Sequence, residues 1–208
     1  MKILIADDHS VLREGLKCIV KEIPMVTTVE EAADGRQALT MIRENNYDLV
    51  ILDISMPKLS GIDVLQSMKD SGVTCRSMVL SLYPEDVYAS RAFKLGSVGY
   101  ISKGSSLEEI RLAIQKVVSG GKYVSAELAE QLAFNDTELS LPHETLSSRE
   151  FQVMMLLAKG KGLSDIASRI CISDKTISTY RSRIMKKMKM NSNAELTIYA
   201  IKNKLLIN

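Results

Sequence analysis

The sequence has no apolar run that approaches the roughly 20 residues a membrane-spanning helix requires. Its first residues enter a strand-like pattern and lack the basic region, apolar segment and small-residue cleavage site of a signal peptide. The three cysteines, Cys18, Cys75 and Cys171, are scattered and form no CxxC pair. Such thiols argue against a disulfide framework and against a zinc site. We therefore expect a cytoplasmic protein that is not a membrane protein.

The small net charge of +2 conceals two parts of opposite charge. From Thr145 onward the chain has 12 basic and 4 acidic residues, so this part carries +8 and the rest carries −6. This asymmetry indicates an acidic regulatory unit joined to a unit that meets a polyanion.

Up to about residue 118, short apolar runs alternate with helical patterns. The strand-like runs are 2–6, 26–32, 49–52, 77–80 and 99–102, and the helical patterns are 11–23, 35–45, 62–69, 84–95 and 106–118. Five such repeats predict a parallel sheet with helices on both faces. The expected fold is a doubly wound, flavodoxin-like (βα)5 domain of the α/β class.

Polar side chains follow four of these runs, at the points where the strands are expected to end. They are Asp7, Asp8, Asp53, Ser81 and Lys103. Ligands of open α/β sheets bind beyond the carboxyl ends of the strands, so we expect these side chains to share one crevice. Each aspartate alone could be a helix cap, but their joint placement favours a site. Three carboxylates packed together repel one another unless a cation joins them, and Mg²⁺ prefers such oxygen ligands.

The chain after residue 121 has a different character. Residues 123–132 predict a short helix, and the polar stretch 134–144, which contains Pro142, predicts a tether. Helical patterns follow at 146–159, 163–170, 174–188 and 194–206. The sequence therefore predicts a first domain at 1–121, a linker with a short helix at 122–143, and an all-helical domain at 144–208.

The second domain contains a short helix, a tight turn and a longer basic helix, which together make a helix-turn-helix. In the longer helix, Ile177, Ile184 and Met188 are spaced to face the core. The opposite face is basic and hydroxylic, and it suits phosphates and base edges in a DNA major groove. The predicted DNA contacts are Lys175, Thr176, Ser178, Thr179, Ser182, Arg183 and Lys186.

The first 120 residues resemble a response-regulator receiver domain of two-component signalling. The resemblance lies in IADDH at 5–9, LDISMP at 52–57, the strand end at Ser81 and YISK at 100–103. It implies that Asp53 accepts a phosphoryl group from the phosphohistidine of a sensor histidine kinase. It also implies that Asp7, Asp8, Asp53 and the backbone carbonyl of Ser55 bind Mg²⁺, with Asp7 acting through a metal-bound water.

The same resemblance implies a switch beside the acceptor. Lys103 would pair with the phosphoryl oxygens, the Ser81 hydroxyl would bond the acyl phosphate, and Tyr100 would rotate inward as Ser81 moves. In the family, the positions of Ser55 and Tyr83 tune how fast the phosphoryl group is lost. His9 is interpreted as structural.

The last 65 residues resemble the LuxR-type effector domain of NarL/FixJ-type regulators. The matching text is TLSSRE at 145–150, LLAKGKGLSDIA at 156–167 and ISDKTISTYRSRIMKKM at 172–188. Ser178 and Tyr180 stand where many relatives have Lys and His. The resemblance implies a transcription factor on double-stranded DNA, with RNA polymerase as a further partner. The last helix, through Leu196, Tyr199 and Ala200, would pair two copies on an inverted-repeat operator.

Three alternatives to this interpretation were weighed. A dinucleotide site would place G-x-G-x-x-G after the first strand, where this chain has Ala6-Asp7-Asp8-His9. A haloacid-dehalogenase-type phosphatase carries a second Asp two positions after its nucleophile, where this chain has Ser55, so we expect no turnover enzyme. An atypical regulator that uses its receiver only for dimerisation stays open, although the intact acidic cluster argues against it.

Overall fold

The computed structural model describes residues 1–83, 85–134, 141–203 and 205–206. The chain divides into two compact units, Met1–Asp136 and Thr137–Asn208, and this division falls within the predicted linker. Residues 135–140 of the predicted tether, and Pro84 of the fourth predicted helix, lie outside the described residues. In the described ranges, no helix has both the length and the apolar character of a bilayer span.

The first unit is a five-stranded parallel sheet in the order β2-β1-β3-β4-β5, alternating with helices. This confirms the predicted doubly wound α/β fold. The strands are β1 Lys2–Ala6, β2 Thr28–Ala32, β3 Leu49–Leu52, β4 Arg76–Ser81 and β5 Gly99–Ser102. The helices are α1 Ser10–Lys21, α2 Gly35–Glu44, α3 Gly61–Asp70, α4 Glu85–Lys94, α5 Leu107–Val118 and α6 Ala126–Phe134.

Burial explains why the strands read as continuous apolar runs. All four residues of β3 are buried, and Ile3, Leu4 and Ile5 of β1 are fully buried, because helices cover both faces of a parallel sheet. Helix starts follow the local capping chemistry. Ser106 and Glu109 form a capping box at the start of α5, in which each side chain accepts the other's backbone N–H.

Several boundaries in this unit differ from the sequence prediction, and local contacts explain two of them. The helix expected at 123–132 begins at Ala126, because Tyr123 pairs with the sheet and Ser125 caps the helix. Strand β4 extends to Ser81, which is therefore the last strand residue rather than the first residue after the strand.

The strand register aligns the polar ends of the strands. Ala6 pairs with Leu52, and Ser81 pairs with Ser102, so the residues that follow them leave the sheet at one edge. Chain order reverses between β1 and β3, which is the switch point at which open α/β sheets form a crevice. Asp7 and Asp53 follow directly from these two strands.

The second unit has four helices after a short 3-10 turn, Pro142–Thr145. They are α7 Ser148–Ala158, α8 Leu163–Arg169, α9 Asp174–Met188 and α10 Asn193–Lys202, which confirms the predicted four-helix domain. Ile177, Ile184 and Met188 of α9 face the core as predicted. Helix α10 ends four residues earlier than expected, because the chain turns so that Leu205 packs inside and donates its N–H to the Ala200 carbonyl.

Candidate functional site

The structure brings two carboxylates and an ammonium together at the carboxyl edge of the sheet. Lys103 Nζ lies 2.7 Å from Asp7 Oδ2 and 2.9 Å from Asp53 Oδ2. Asp7 and Asp53 are 1% and 2% exposed, and the Lys103 side chain is 5% exposed. A charge pair this deep needs partners for every polar atom, so its burial is costly unless further groups complete it.

Asp8 and His9 form the open side of this pocket. The Asp8 side chain is 33% exposed, and its Oδ1 lies 2.8 Å from His9 Nδ1. The backbone N–H of His9 donates to Asp7 Oδ1 at 2.9 Å, and its ring nitrogen lies 3.1 Å from the same oxygen. His9 therefore orients Asp7, which agrees with its interpretation as a structural residue.

The pocket has the donor set of a divalent-cation site. One ligand atom from each of Asp7, Asp8, His9 and Asp53 lies within 4.8 Å of the others. Asp53 Oδ1 is buried and makes no hydrogen bond of standard geometry with a described residue, although the Ser55 backbone N–H faces the same carboxyl group. Two buried carboxylates beside a third, partly exposed one fit a hard, oxygen-seeking ion such as Mg²⁺.

Burial also sets the proton affinity of Asp53. Loss of solvation raises the pKa of its carboxyl, the Lys103 ammonium lowers it and the Asp7 carboxylate raises it, with a net rise above the ordinary value. The folded protein therefore holds Asp53 in an environment that disfavours its charge, and a bound cation would oppose that effect.

Ser81 and Tyr100 both act on Tyr83, in the loop between β4 and α4. The Tyr83 N–H donates to the buried Ser81 Oγ at 3.1 Å, and the Tyr100 hydroxyl donates to the Tyr83 carbonyl at 3.1 Å. The Tyr100 ring is fully buried, which raises the pKa of its phenol. Tyr83 Oη also lies 3.4 Å from Ser55 Oγ, across the mouth of the pocket. Sequence reasoning gave Tyr83 only a role in phosphoryl lifetime and missed that it connects the two switch residues.

A glycine fixes the acceptor loop between β3 and α3. The N–H of Gly61 donates to the Ile54 carbonyl at 3.1 Å, and a Cβ on Gly61 would lie 2.1 Å from the Asp53 carbonyl oxygen. Lys58, in the same loop, has φ 64° and pairs with Asp34 at 2.5 Å. Sequence reasoning did not identify Gly61, although a glycine directly after a capping serine was visible.

The predicted DNA contacts form one exposed face of α9. All seven are exposed: Lys175, Thr176, Ser178, Thr179, Ser182, Arg183 and Lys186. The Thr179 hydroxyl donates to the Lys175 carbonyl at 3.0 Å, and the Ser182 hydroxyl donates to the Ser178 carbonyl at 3.1 Å. These hydroxyls use their protons within the helix, so their oxygens point outward mainly as acceptors.

Other basic residues of this unit stabilise its fold. Arg149 donates to the Ile170 carbonyl at 2.7 Å and so satisfies the end of α8. Lys187 pairs at 2.6 Å with the buried Glu150, and Arg181 donates to the first residue of α10 at 2.9 Å. Burial alone would raise the pKa of the Glu150 carboxyl, but Lys187 and the capping bonds hold it below its ordinary value. The charge of +8 is therefore only partly available to a polyanion.

The residues predicted for dimerisation on α10 do not form an outward face. Leu196 and Ala200 are fully buried in their own domain, and Tyr199 Oη bonds at 2.8 Å to a histidine of the 3-10 turn. Leu196 and Ala200 are therefore not available to a second copy, whereas Tyr199 is half-buried. Helix α10 packs against α7. The outward apolar residues of α10 are Ile198 and Ile201, which are 66% and 62% exposed.

Comparison with known proteins matches two families to separate parts of the chain. The family described as response regulator receiver domain matches residues 3–115, and the family described as bacterial regulatory proteins, luxR family, matches residues 144–200. The response regulator UvrY of Escherichia coli strain K12 is 31% identical over 208 residues, covering 99% of this chain and 95% of UvrY. The response regulator GacA of Pseudomonas aeruginosa is 32% identical over 206 residues, covering 98% of this chain and 96% of GacA.

A solved structure shows the same fold. RcsB from Salmonella enterica serovar Typhimurium, bound to a promoter in the presence of a phosphomimetic, superposes with a TM-score of 0.64. It is 24% identical and covers 96% of this chain and 98% of the RcsB chain. Members of the receiver family are phosphorylated regulators and not catalytic enzymes. The chain belongs to the NarL/FixJ-type response regulators of two-component systems, which join a receiver to a LuxR-type DNA-binding domain.

Proposed function

We propose that Asp53 is the phosphoryl acceptor and that a sensor histidine kinase is the donor. In the transfer, the N–P bond of the phosphohistidine breaks, an O–P bond forms at an Asp53 oxygen, and the histidine keeps the electron pair. The observation that carries this proposal is the Lys103 ammonium, buried 2.9 Å from Asp53 at the switch point of the sheet. Phosphoryl transfer needs positioning and neutralisation of charge, and a mobile ammonium at this place supplies both.

The neighbouring residues would hold Mg²⁺. Asp8, Asp53 and the backbone carbonyl of Ser55 would be its ligands, and Asp7 would hold a water on it. When bound, the ion supplies positive charge to the oxygens of the transferring group. His9 and Lys103 keep Asp7 oriented through the 2.9 Å and 2.7 Å contacts described above.

The phosphorylated state would act through Ser81. Phosphorylation turns Asp53 into a larger dianion with strong acceptor oxygens, which draws the Ser81 hydroxyl toward it. Ser81 already holds the Tyr83 N–H, so the loop between β4 and α4 follows. Tyr100 is buried and donates to the Tyr83 carbonyl, so it restrains the same loop. The loop would then switch between two positions, one for each state of Asp53.

We propose that α9 enters the major groove of operator DNA and that two copies bind an inverted repeat. The exposed basic and hydroxylic face of α9 supports the first part. RcsB has been solved as dimers on DNA. For pairing we now propose Ile198 and Ile201 as contacts, because two exposed isoleucines one turn apart form the outward apolar face of α10. Phosphorylation would control this pairing and hence DNA binding.

The test of the acceptor is a mass measurement. The full chain is incubated with acetyl phosphate and Mg²⁺, and its intact mass is recorded. We expect one acid-labile phosphate adduct on the wild type and none on Asp53→Asn, which removes the nucleophilic oxygen but keeps the size of the side chain. Asp8→Asn should form the adduct more slowly, since it removes only a ligand of the ion. An adduct of equal yield on Asp53→Asn would contradict the assignment.

The test of the DNA face compares two adjacent lysines. Lys186 is exposed on the proposed face, whereas Lys187 pairs with Glu150. In operator binding, Lys186→Ala should make the slope of log affinity against log salt less steep by roughly 0.9, because one phosphate contact is lost. Lys187→Ala should leave the slope unchanged and lower the midpoint of thermal unfolding. Equal slopes for Lys186→Ala and wild type would remove Lys186 from the contacts.

A further inference from the structure

The chain after α5 returns to the sheet and lies along its outer strand. The Tyr123 N–H donates to the Val98 carbonyl at 2.9 Å, and the Tyr123 carbonyl accepts from the Tyr100 N–H at 3.3 Å. Tyr123 therefore pairs in parallel with Gly99 and extends the sheet by one bridge. Gly120, with φ 92°, makes the reversal out of α5 that this requires. We call residues 123–134 the docked segment.

The docked segment also holds the start of α4. The Ser125 hydroxyl donates to the Glu85 carboxylate, and its oxygen accepts the Leu128 N–H at 3.2 Å as the cap of α6. Leu128 is 2% exposed, and α6 packs against α4. Among the side chains that the structure describes, Tyr123, Leu128 and Ser125 hold the segment through a sheet bridge, burial and a bond to Glu85.

Both anchors of the docked segment touch the switch. Glu85 lies two residues after Tyr83, whose N–H is held by Ser81. Tyr100 bonds Tyr83 through its hydroxyl and Tyr123 through its backbone N–H. A movement of the loop after Ser81 therefore acts on both ends of the contact between the docked segment and the domain.

Acidic side chains line a cleft beside the docked segment. A cleft of about 430 Å³ beneath the segment is lined by Glu85, Glu109 and Glu127 together with Tyr123 and Ser125. Burial and the carboxylates of Glu109 and Glu85 raise the pKa of the Tyr123 phenol. Glu109 and Glu127 are exposed, so water screens their repulsion of Glu85, which makes a small contribution in favour of release.

We propose that phosphorylation of Asp53 undocks residues 123–134 from α4 and β5, and that this release carries the signal from the receiver to the linker. The inference rests on the proposed function of Asp53. As Ser81 moves toward the phosphoryl group, Tyr83 and Glu85 follow, and the Glu85 carboxylate leaves the Ser125 hydroxyl. The α4–β5 surface is then a docking surface whose occupant in the resting state is the chain's own segment.

Hydrogen exchange of the full chain tests the release. Peptides that contain Tyr123 and Leu128 are followed by mass spectrometry with Mg²⁺, before and after acetyl phosphate, together with the intact mass. We expect their exchange to become about 10-fold faster in the phosphorylated protein. The Asp48 amide, bonded to the Lys2 carbonyl at 2.9 Å at the opposite edge of the sheet, should keep its rate.

Two isosteric variants test the bond to Glu85. Asn and Asp are both good helix caps, so Ser125→Asn and Ser125→Asp each keep the start of α6. Ser125→Asn can still donate to Glu85 and should exchange as the wild type does. Ser125→Asp places a second carboxylate against Glu85, and its segment should exchange about 10-fold faster without any phosphate.

The outcomes separate the two proposals. Absence of a phosphate adduct on Asp53 would refute the proposed function, and the inference with it. An adduct with unchanged exchange at residues 123–134 would leave the acceptor in place and overturn the release. Equal exchange in Ser125→Asp and Ser125→Asn would also overturn the proposed release, because the bond to Glu85 would then not contribute to docking of the segment.

Discussion

Gly61→Ala is expected to destabilise the first unit by about 3 kcal/mol or more, at the upper end of the usual cost of overpacking. The added Cβ would lie 2.1 Å from the Asp53 carbonyl oxygen and 2.9 Å from its carbonyl carbon. These are backbone atoms at the end of β3, where the chain continues into the acceptor loop, so no side chain can rotate away to make room. Either the start of α3 or the acceptor residue itself must move.

The measurement is chemical denaturation with a matched glycine. A Cβ on Gly15, in α1, would meet nothing within 4 Å. Gly15→Ala should therefore stabilise the protein by about 0.5–1 kcal/mol, through helix propensity alone. Gly61→Ala should also accept phosphate from acetyl phosphate at least about 10-fold more slowly where it is folded, since misplacement of a reacting group by 1 Å costs up to about 100-fold. Unfolding of Gly61→Ala at the wild-type midpoint would contradict this account of the loop.

Without divalent ions and at neutral pH, we expect Asp53→Asn to be more stable than the wild type by about 1–2 kcal/mol, because the amide avoids burying a second negative charge beside Asp7. Folding raises the pKa of Asp53, because burial and Asp7 outweigh the Lys103 ammonium. A carboxyl whose pKa is raised by folding favours the folded state below its unfolded pKa of about 3.9. That contribution is lost as the pH rises through the folded pKa, so at pH 7 the ionised carboxylate opposes folding.

Thermal unfolding in a chelator, from pH 4 to pH 8, measures this effect. The midpoint of Asp53→Asn should exceed that of the wild type at pH 7, and the difference should shrink toward pH 4. Adding Mg²⁺ should raise the wild-type midpoint more than that of the variant, because the ion loses one carboxylate ligand in Asp53→Asn. A variant that is less stable than the wild type at pH 7 in chelator would show that the folded state does not disfavour the ionised Asp53 carboxylate.

The fold followed from sequence because its signals are local and repeated. Apolar runs at 2–6, 49–52 and 99–102 predicted strands of a parallel sheet, and the structure confirms them. Parallel strands end at one edge, so placing the acidic residues after strands also placed them together. The core side of α9 was readable for a similar reason, because helical spacing fixes which residues share a face.

The parts that sequence reasoning missed depend on contacts between distant segments. Tyr123 was assigned to a helix, because nothing in its neighbours shows that β5 has an unpaired edge beside it. Leu196 and Ala200 were assigned to dimerisation because the family resemblance implies that the last helix pairs two copies. Apolar residues on such a helix also fit the domain core, and both are buried there. Gly61 was overlooked because its role depends on a distant contact. A Cβ added there would lie 2.1 Å from the carbonyl oxygen of Asp53, eight residues earlier.

The bridge at Tyr123 has a consequence for how the protein behaves in concentrated solution. An outer strand exposes a row of backbone donors and acceptors on which a strand of another molecule can assemble, and natural proteins cover such rows to resist aggregation. β5 has only four residues, and Tyr123 occupies the N–H of Tyr100 and the carbonyl of Val98 beside it. Truncation of the chain just after α5 should therefore produce a receiver that precipitates at concentrations the full chain tolerates.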